Sequence, residues 1–328
     1  MYRINRLFNP EIFLGKYRKK NYFEGWYFKL IDEDKKCILS IISGIAINKN
    51  GEKKAFIQTI DGITGQTHYI PFDYKDFKYD NENFQVFIGN NYFSKERMIL
   101  NLEKDDLSFI GELYFTDRIP YPKTITHPGI MGPFSFVPFM ECYHGVVNIS
   151  HNIQGKMIYQ KRIIDFNNGY GYIEKDWGKS FPESWIWVQS NHFTKENTSF
   201  MFSIAKIPWF GSFFIGFISF LRIGDNHHTF ATYTRSKIKY LNLKDHLLSI
   251  TLKNSKYQLQ AQVDISTNKG ELMAPKIGTM NRKIEETINS KVSILLLNKD
   301  NNIIFKDTGY HGGTELCGSY EELLVGSR

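Results

Sequence analysis

Short segments in which apolar and polar residues alternate follow one another along almost the whole chain, with little helical periodicity between them. They are rich in Phe, Tyr, Ile and Val, and polar turns such as Asn50-Gly51 and Asn168-Gly169 separate them where hairpins need positive φ. The segments cover residues 22–30, 38–47, 55–60, 84–88, 98–102, 107–115, 145–150, 156–166, 169–174, 184–193, 198–207, 213–221, 228–234, 247–252, 257–265 and 292–297. Many short strands without intervening helices predict an all-β fold of antiparallel barrels or sandwiches. Only a short helix is expected, opening at Asn9-Pro10-Glu11 and running toward Tyr17.

The two halves of the chain resemble each other. The heptapeptide EGWYFKL at 24–30 returns as ESWIWVQ at 183–189, and Ser-Ile at 40 and 203 and Phe-Ile at 56 and 217 follow in the same order. Between the halves, residues 120–138 hold five of the ten prolines. We therefore predict two β domains related by internal duplication, spanning 1–140 and 141–328, with the proline-rich segment as a linker at the end of the first.

Basic residues are concentrated at the N-terminus, although the whole chain has 41 Lys and Arg against 34 Asp and Glu. The first twenty residues contain Arg3, Arg6, Lys16, Arg18, Lys19 and Lys20. The rest is nearly neutral and has no basic stripe, so nucleic acid is not an expected partner. We interpret the basic end as solvated. The alternative is contact with a membrane surface, helped by the apolar stretch 207–221, which is too short to span a bilayer and is predicted to form buried strands or a bent hairpin.

Several large functional classes are excluded by missing motifs. The chain has no GxSxG or HExxH; Ile173 and Glu174 occupy positions where a phosphate loop and a dinucleotide fingerprint need glycine. The adjacent pair His227-His228 would point to opposite faces of a strand and is not expected to share a metal. Three widely spaced cysteines and no signal-peptide pattern predict a cytoplasmic protein, with peripheral membrane contact as the alternative.

Residues 171–193 combine carboxylates, indoles and amides more densely than any other segment. Alternation places Glu174 and Asp176 on one face of their strand, with Lys175 and Trp177 on the other. In the next strand Trp185, Trp187, Gln189 and Asn191 share a face. Indoles and amides on one face suit the wall of a semi-polar cavity, because buried N–H groups need partners. The alternatives are that the tryptophans only plug a barrel and that the carboxylates pair with Lys175, Lys179 or another base.

Five motifs in order resemble the tocopherol cyclase family. They are FEGWYFK at 23–29, MGPFSFVPFMECYHG at 131–145, GYIEKDWG at 171–178, FP at 181–182 and WIWVQSN at 185–191. The resemblance covers about residues 20–200 and is loose in the C-terminal third. It implies two lipocalin-like β-barrel domains and closure of a chromanol ring from a prenylated quinol.

Such a cyclisation protonates an alkene while a phenol oxygen attacks the cation-like carbon, in an apolar site that excludes water. Asp176 or Glu174 is the expected acid, and aromatic faces would stabilise the positive charge. The other expected ligand-binding residues are Trp26, Glu24, His144, Trp177, Trp185, Trp187, Gln189 and Asn191. No metal or redox cofactor is required. The alternative function is a lipocalin-like carrier or sensor that binds a hydrophobic molecule without transforming it.

Overall fold

The computed structural model describes residues 6–104, 107–209 and 211–325. Strands make up 65% of the chain and helix 7%, which confirms the all-β prediction. The described chain divides into two compact units, of which the first extends to Phe181 and also includes Leu272–Lys283. The 3₁₀ helices are single short turns at Gly15–Tyr17, Tyr74–Asp76, Gly132–Phe136, Thr232–Thr234 and Tyr320–Leu323.

The first unit is built on a twelve-stranded antiparallel sheet. Its strands are β1 (Tyr22–Ile31), β2 (Ile38–Ile47), β3 (Lys53–Asp61), β4 (Thr67–Asp73), β5 (Phe77–Tyr79), β6 (Gln85–Ile88), β7 (Asn91–Ser94), β8 (Arg97–Lys104), β9 (Leu107–Pro120), β10 (Cys142–Tyr159), β11 (Arg162–Asp165) and β12 (Gly169–Gly178). The spatial order is β4-β3-β2-β1-β12-β10-β9-β8-β7-β6-β5, with β11 beside β10. Turn residues at the predicted positions have positive φ, 88° at Gly51 and 59° at Asn168.

Strand alternation divides this sheet into an interior face and an outer face. Trp26 and Phe28 of β1 and Ile173 of β12 point into the core, where the Trp26 and Phe84 rings stack at 5.5 Å and Phe28 lies 5.7 Å from Phe93. Aromatic side chains therefore fill the interior. The residues that alternate with them, including Glu174 and Asp176, occupy the outer face.

The N-terminal segment does not form the predicted helix. Residues 6–8 are helical, but residues 9–14 form turns and irregular chain. The carbonyls of Pro10 and Ile12 accept hydrogen bonds from Lys175 Nζ at 2.6 and 2.8 Å, and that of Glu11 accepts one from Trp26 Nε1 at 2.8 Å. Because these carbonyls accept hydrogen bonds from interior side chains, they do not accept the backbone N–H bonds, from four residues later, that an α-helix needs.

Two corrections to the predicted domain organisation follow from strand pairing. The proline-rich segment 120–138 connects β9 to β10, which pair with each other inside the first unit, so it is not an interdomain linker. The second unit begins at Pro182 and not at residue 141, because β10 and β12 belong to the first sheet. No strand was predicted at residues 272–283, which belong to the first unit. Gln58 of β3 forms two hydrogen bonds with the backbone of Met273 in this segment.

An eleven-stranded sheet contains the strands of the second unit and, at Leu272–Lys283, residues that belong to the first unit. Its strands are β13 (Trp185–Ser190), β14 (His192–Phe193), β15 (Thr198–Trp209), β16 (Ser212–Ile223), β17 (Asn226–Ala231), β18 (Lys237–Lys244), β19 (Leu247–Lys253), β20 (Tyr257–Asp264), β21 (Gly270–Lys276), β22 (Thr279–Asn298) and β23 (Ile303–Cys317). The order is β17-β16-β15-β13-β23-β22-β20-β19-β18, with β14 beside β23 and β21 beside β22. Its core contains Ile186, Val188, Phe202 and Leu221.

Both sheets have the same strand order, as the predicted duplication requires. β4-β3-β2-β1-β12-β10-β9-β8-β7 in the first corresponds, strand for strand, to β17-β16-β15-β13-β23-β22-β20-β19-β18 in the second. The residue registers differ: Lys29 pairs with Ser40, whereas Val188, its counterpart in the repeat, pairs with Phe202 rather than Ser203. The repeat therefore predicts the topology but not the pairing of individual residues.

Within the described residues, no helix combines the length and the apolar character that crossing a bilayer would need.

Candidate functional site

The outer face of the first sheet carries a histidine between two carboxylates. His144 of β10 is the cross-strand neighbour of Asp176 of β12, and its Nδ1 lies 2.9 Å from Asp176 Oδ1. His144 Nε2 lies 3.5 Å from Glu174 Oε2, on the next outward position of β12. Bulges in β10 beyond Val146 change the register only after this point, so His144 faces the same way as both carboxylates.

Tyr172 lies at the next outward position of β12, beyond Glu174. We call Tyr172, Glu174, His144 and Asp176 the row. Its hydroxyl donates a hydrogen bond of 2.5 Å to Glu174 Oε2. Tyr172 is fully buried, and burial, followed by the charge of Glu174, raises the pKa of the phenol well above its usual value of 10. The phenol therefore remains protonated and fixes the orientation of the Glu174 carboxylate.

Accessibility increases steadily along the row. The side chain of Glu174 is 6% exposed, that of His144 is 13% exposed and that of Asp176 is 23% exposed. Asp176 is thus the carboxyl group that a molecule on this face reaches most easily. Burial, followed by the charge of Asp176, also raises the pKa of the neighbouring Cys142 thiol well above its usual value. Cys142 is therefore a protonated thiol, not a nucleophile.

The row can store and transfer protons. Two carboxylates this close repel each other when both are ionised, and a protonated imidazole between them offsets that repulsion. From the buried end to the accessible end, the order of the row is Tyr172, Glu174, His144, Asp176. Hydrogen bonds join the first two and the last two members, and a contact of 3.5 Å joins Glu174 Oε2 to His144 Nε2.

The same three groups have the composition of a metal site. One ligand atom from each of His144, Glu174 and Asp176 can be chosen so that all three lie within 4.8 Å of one another. Imidazole and carboxylate are ligands that Zn²⁺ and other divalent ions accept. Nδ1 of His144 is engaged by Asp176, so Nε2 and Glu174 Oε2 are the atoms best placed to bind an ion.

Three of the predicted ligand-binding residues lie on the opposite face. Trp26, Glu24 and Trp177 point into the first barrel, so they do not join the wall beside Glu174 and Asp176. Trp177 stacks on Tyr143 with ring centroids 5.4 Å apart. Alternation along β12 places Trp177 and Asp176 on opposite faces of the sheet. Trp177 was expected to bind the ligand because it is next to Asp176 in the sequence, and that adjacency does not bring the two side chains to one face.

Lys175 and Glu24 form an ion pair inside this barrel. Both side chains are fully buried. The Lys175 ammonium also lies 4.8 Å from the Trp26 ring and 5.1 Å from the Trp177 ring. Burial lowers the pKa of Lys175, and the charge of Glu24 opposes that shift. Lys175 is therefore engaged in the core and does not neutralise Glu174 or Asp176, whose basic neighbour is His144.

The second unit presents its own aromatic and polar face. Trp185, Trp187 and Gln189 point away from the core that contains Ile186 and Val188. The Trp185 indole donates a hydrogen bond of 2.5 Å to Glu315 Oε2. Asn191 lies in the one-residue break between β13 and β14, and its Oδ1 lies 3.1 Å from His192 Nδ1. The register against β23 is the same on both sides of this break, because Gln189 pairs with Gly313 and His192 with Tyr310.

Sequence reasoning missed Tyr172, Glu315 and Glu286. Tyr172 could have been predicted from the sequence, because strand alternation puts it on the same face as Glu174. Glu315 pairs with Trp187 on one side and with Glu286 on the other, and Glu286 is fully buried. Nothing local marks these two glutamates, since their row forms only when β13, β22 and β23 are assembled.

A family model described as tocopherol cyclase-like matches residues 122–318. The matched range contains the whole row from His144 to Asp176 and the aromatic face of the second unit. Among curated proteins, none matches the sequence.

Solved structures with the same fold are distant in sequence. A putative AttH from Nitrosomonas europaea is 13% identical with a TM-score of 0.53, covering 90% of this chain and 92% of its own. Kievitone hydratase from Nectria haematococca is 11% identical with a TM-score of 0.54, covering 91% and 90%. CghA with Sch210972 is 8% identical with a TM-score of 0.56, covering 91% and 89%. At such identities the likeness establishes the fold alone.

Proposed function

Because the chain belongs to the tocopherol cyclase-like family, we propose that it catalyses the acid-promoted cyclisation or isomerisation of a prenylated quinol or another hydrophobic isoprenoid-like molecule. The observation that carries the proposal is the row from Tyr172 to Asp176 on the outer face of the first sheet, whose members are joined by two hydrogen bonds and one contact of 3.5 Å. A row of coupled acids and an imidazole is suited to proton delivery and recovery without a redox step.

The proposed reaction is balanced within one substrate molecule. Asp176 protonates one carbon of a trisubstituted alkene, and the phenol oxygen forms a bond to the other carbon, where positive charge develops. The phenol proton then returns to the row, so product and substrate are isomers. Asp176 is assigned the donor role because it is the more accessible carboxyl.

His144 and Glu174 complete the proton path. His144 contacts Asp176 directly and lies within 3.5 Å of Glu174, so it can reprotonate Asp176 from the buried end of the row. Tyr172 holds Glu174 in place. The ligand-binding role of Trp185, Trp187 and Gln189, which lie on a face of the second unit, stays a prediction that rests on the ability of indole rings to stabilise positive charge.

One solved structure of this fold is named a hydratase and another contains Sch210972, and both support the proposal by analogy. The filled interior of the first barrel weighs against a carrier that stores its ligand there, as a lipocalin does.

The test is to incubate the protein with a geranylgeranyl or phytyl quinol and to measure chromanol by chromatography. We expect product with the wild type, and about 10²- to 10⁴-fold less with Asp176→Asn. Asp165→Asn, which alters an exposed carboxylate paired with Lys156, is the matched control and should retain wild-type rates. Tryptophan quenching by the quinol without any product would favour the carrier and contradict the proposal.

A further inference from the structure

One hairpin of the second unit extends beyond its sheet. β13 pairs with β15 only as far as Ala205, and β17 pairs with β16 only from Ile218 onward. Residues 206–209 and 212–215 therefore have β-ladder partners only in each other among the described residues of this sheet. We call these eight residues the ribbon. Four residue pairs extend about 13 Å.

The ribbon is apolar on both faces. Phe213 is 54% exposed, Ile215 42% and Trp209 37%. Alternation puts Phe213 and Ile215 on one face, whereas Trp209 and Phe214 share the other, with ring centroids 5.8 Å apart. The sequence of the ribbon contains no acidic residue. An isolated two-stranded ribbon is marginal in water, and large apolar side chains exposed on both of its faces indicate a non-aqueous partner.

The surface is too small for a stable dimer. Three partly exposed side chains of this size offer about 300 Å², whereas a stable protein interface needs about 800 Å² from each partner. A second copy of the chain is therefore a poor occupant. A lipid bilayer imposes no such requirement, since even a few interfacial aromatic and aliphatic side chains gain from leaving water.

The one charged residue of the ribbon does not require anionic lipid for membrane binding. Lys206 is the ribbon's only charged residue, and its ammonium lies 2.7 Å from Glu322 and 3.7 Å from Glu183. The Lys206 Nζ also lies 4.5 Å from the centroid of the Phe213 ring. Because these carboxylates already neutralise Lys206, apolar burial and not charge attraction would drive binding.

We propose that the ribbon inserts into the interfacial layer of a lipid bilayer and holds the protein on a membrane surface. Its length of about 13 Å is sufficient to reach the depth of about 5–10 Å at which interfacial apolar elements lie. The inference stands independently of the proposed reaction, because membrane binding is measured without any quinol.

The test uses flotation with vesicles of phosphatidylcholine alone. Wild-type protein should float with them, and Phe213→Thr combined with Ile215→Thr, which keeps β-propensity, should lower the partition coefficient at least about tenfold. Ile303→Thr with Ile304→Thr is the matched control, because those isoleucines are 64% and 51% exposed elsewhere in the same unit. The control should bind within about twofold of wild type, and circular dichroism should show all three proteins folded.

A second readout locates the contact. Vesicles should shift the tryptophan emission of the wild type to shorter wavelength, and Trp209→Phe should remove most of that shift. Three results would overturn the inference: no flotation of wild type on phosphatidylcholine, equal flotation of the ribbon variant, or loss of a dimer in sedimentation with no change in vesicle binding. Binding that needs anionic lipid and disappears when Lys19 and Lys20 are replaced by Gln would assign membrane contact to the basic N-terminus instead. The rate of quinol turnover by the ribbon variant in detergent, where no bilayer is present, tests the proposed reaction separately from membrane binding.

Discussion

His144 Nδ1 lies 2.9 Å from Asp176 Oδ1, across the pairing of β10 with β12. This contact joins Asp176, the more accessible of the two carboxyls, to the imidazole ring that also lies 3.5 Å from the buried carboxyl of Glu174. Neighbouring strands fix both residues, so the geometry does not depend on a flexible loop.

Replacing His144 by Gln should lower turnover about 10²- to 10⁴-fold, because reprotonation of Asp176 loses its relay. The folded state should survive, since the amide can still hydrogen-bond to Asp176. The measurement is the rate of chromanol formation at saturating quinol. His246→Gln, which changes an exposed histidine in the turn between β18 and β19, is the control. Equal rates of chromanol formation for the His144→Gln and His246→Gln variants would show that His144 has no role in proton transfer.

Tyr172→Phe should change how stability depends on pH. Burial raises the pKa of Tyr172 in the folded state well above 10, so the unfolded chain loses the phenol proton first as pH rises. This contribution to stability is complete below pH 10 and is lost as pH rises toward the elevated folded value. The unfolding free energy should therefore fall less steeply above pH 10 in the variant than in wild type. Urea unfolding at a series of pH values measures the slopes, and parallel slopes would contradict the assigned burial.

Removing one partner of the buried Lys175 and Glu24 pair should be strongly destabilising. Lys175→Met or Glu24→Gln leaves an uncompensated group in the barrel and should cost about 3–5 kcal/mol of unfolding free energy. Changing both together should cost less than the sum of the single changes, as a double-mutant cycle in urea would show. Lys54→Met, at a pair whose side chains are 61% and 58% exposed, should cost less than about 1 kcal/mol.

Zn²⁺ should inhibit turnover, because the ion would occupy the nitrogen and oxygen atoms that transfer the proton. Chelation with EDTA should restore the rate, and EDTA alone should leave the purified protein active. His144→Gln should weaken zinc binding in calorimetry by about 10- to 100-fold. Activity that is lost on chelation and regained with zinc would assign the cluster to metal-assisted chemistry instead.

Alternation predicted much of the local structure. It put Glu174 and Asp176 on one face because β12 continues to Gly178, and it put Trp185, Trp187 and Gln189 together on β13. The tocopherol cyclase family resemblance and the all-β class were confirmed. These features depend on short-range periodicity and on motif order, which a single sequence contains.

The long-range features were not predictable in the same way. His144 was expected only to bind the ligand, whereas its contact with Asp176 depends on the register of β10 against β12. The segment before β1 is irregular because Lys175, far along the chain, binds its carbonyls. Of the predicted basic cluster, Arg6 is buried and donates to the Phe13 carbonyl, while Arg3 lies outside the described residues.

The most direct test of the proposed reaction is the fate of the transferred proton. Turnover of the quinol in D₂O should place one deuterium on the carbon beside the newly formed carbon–oxygen bond, as seen by mass spectrometry and NMR. Asp176→Asn should lower the rate of that incorporation in parallel with product formation. A chromanol without deuterium at that carbon would contradict proton delivery by the row. A rate of deuterium incorporation that Asp176→Asn leaves unchanged would contradict the role of Asp176 as the proton donor.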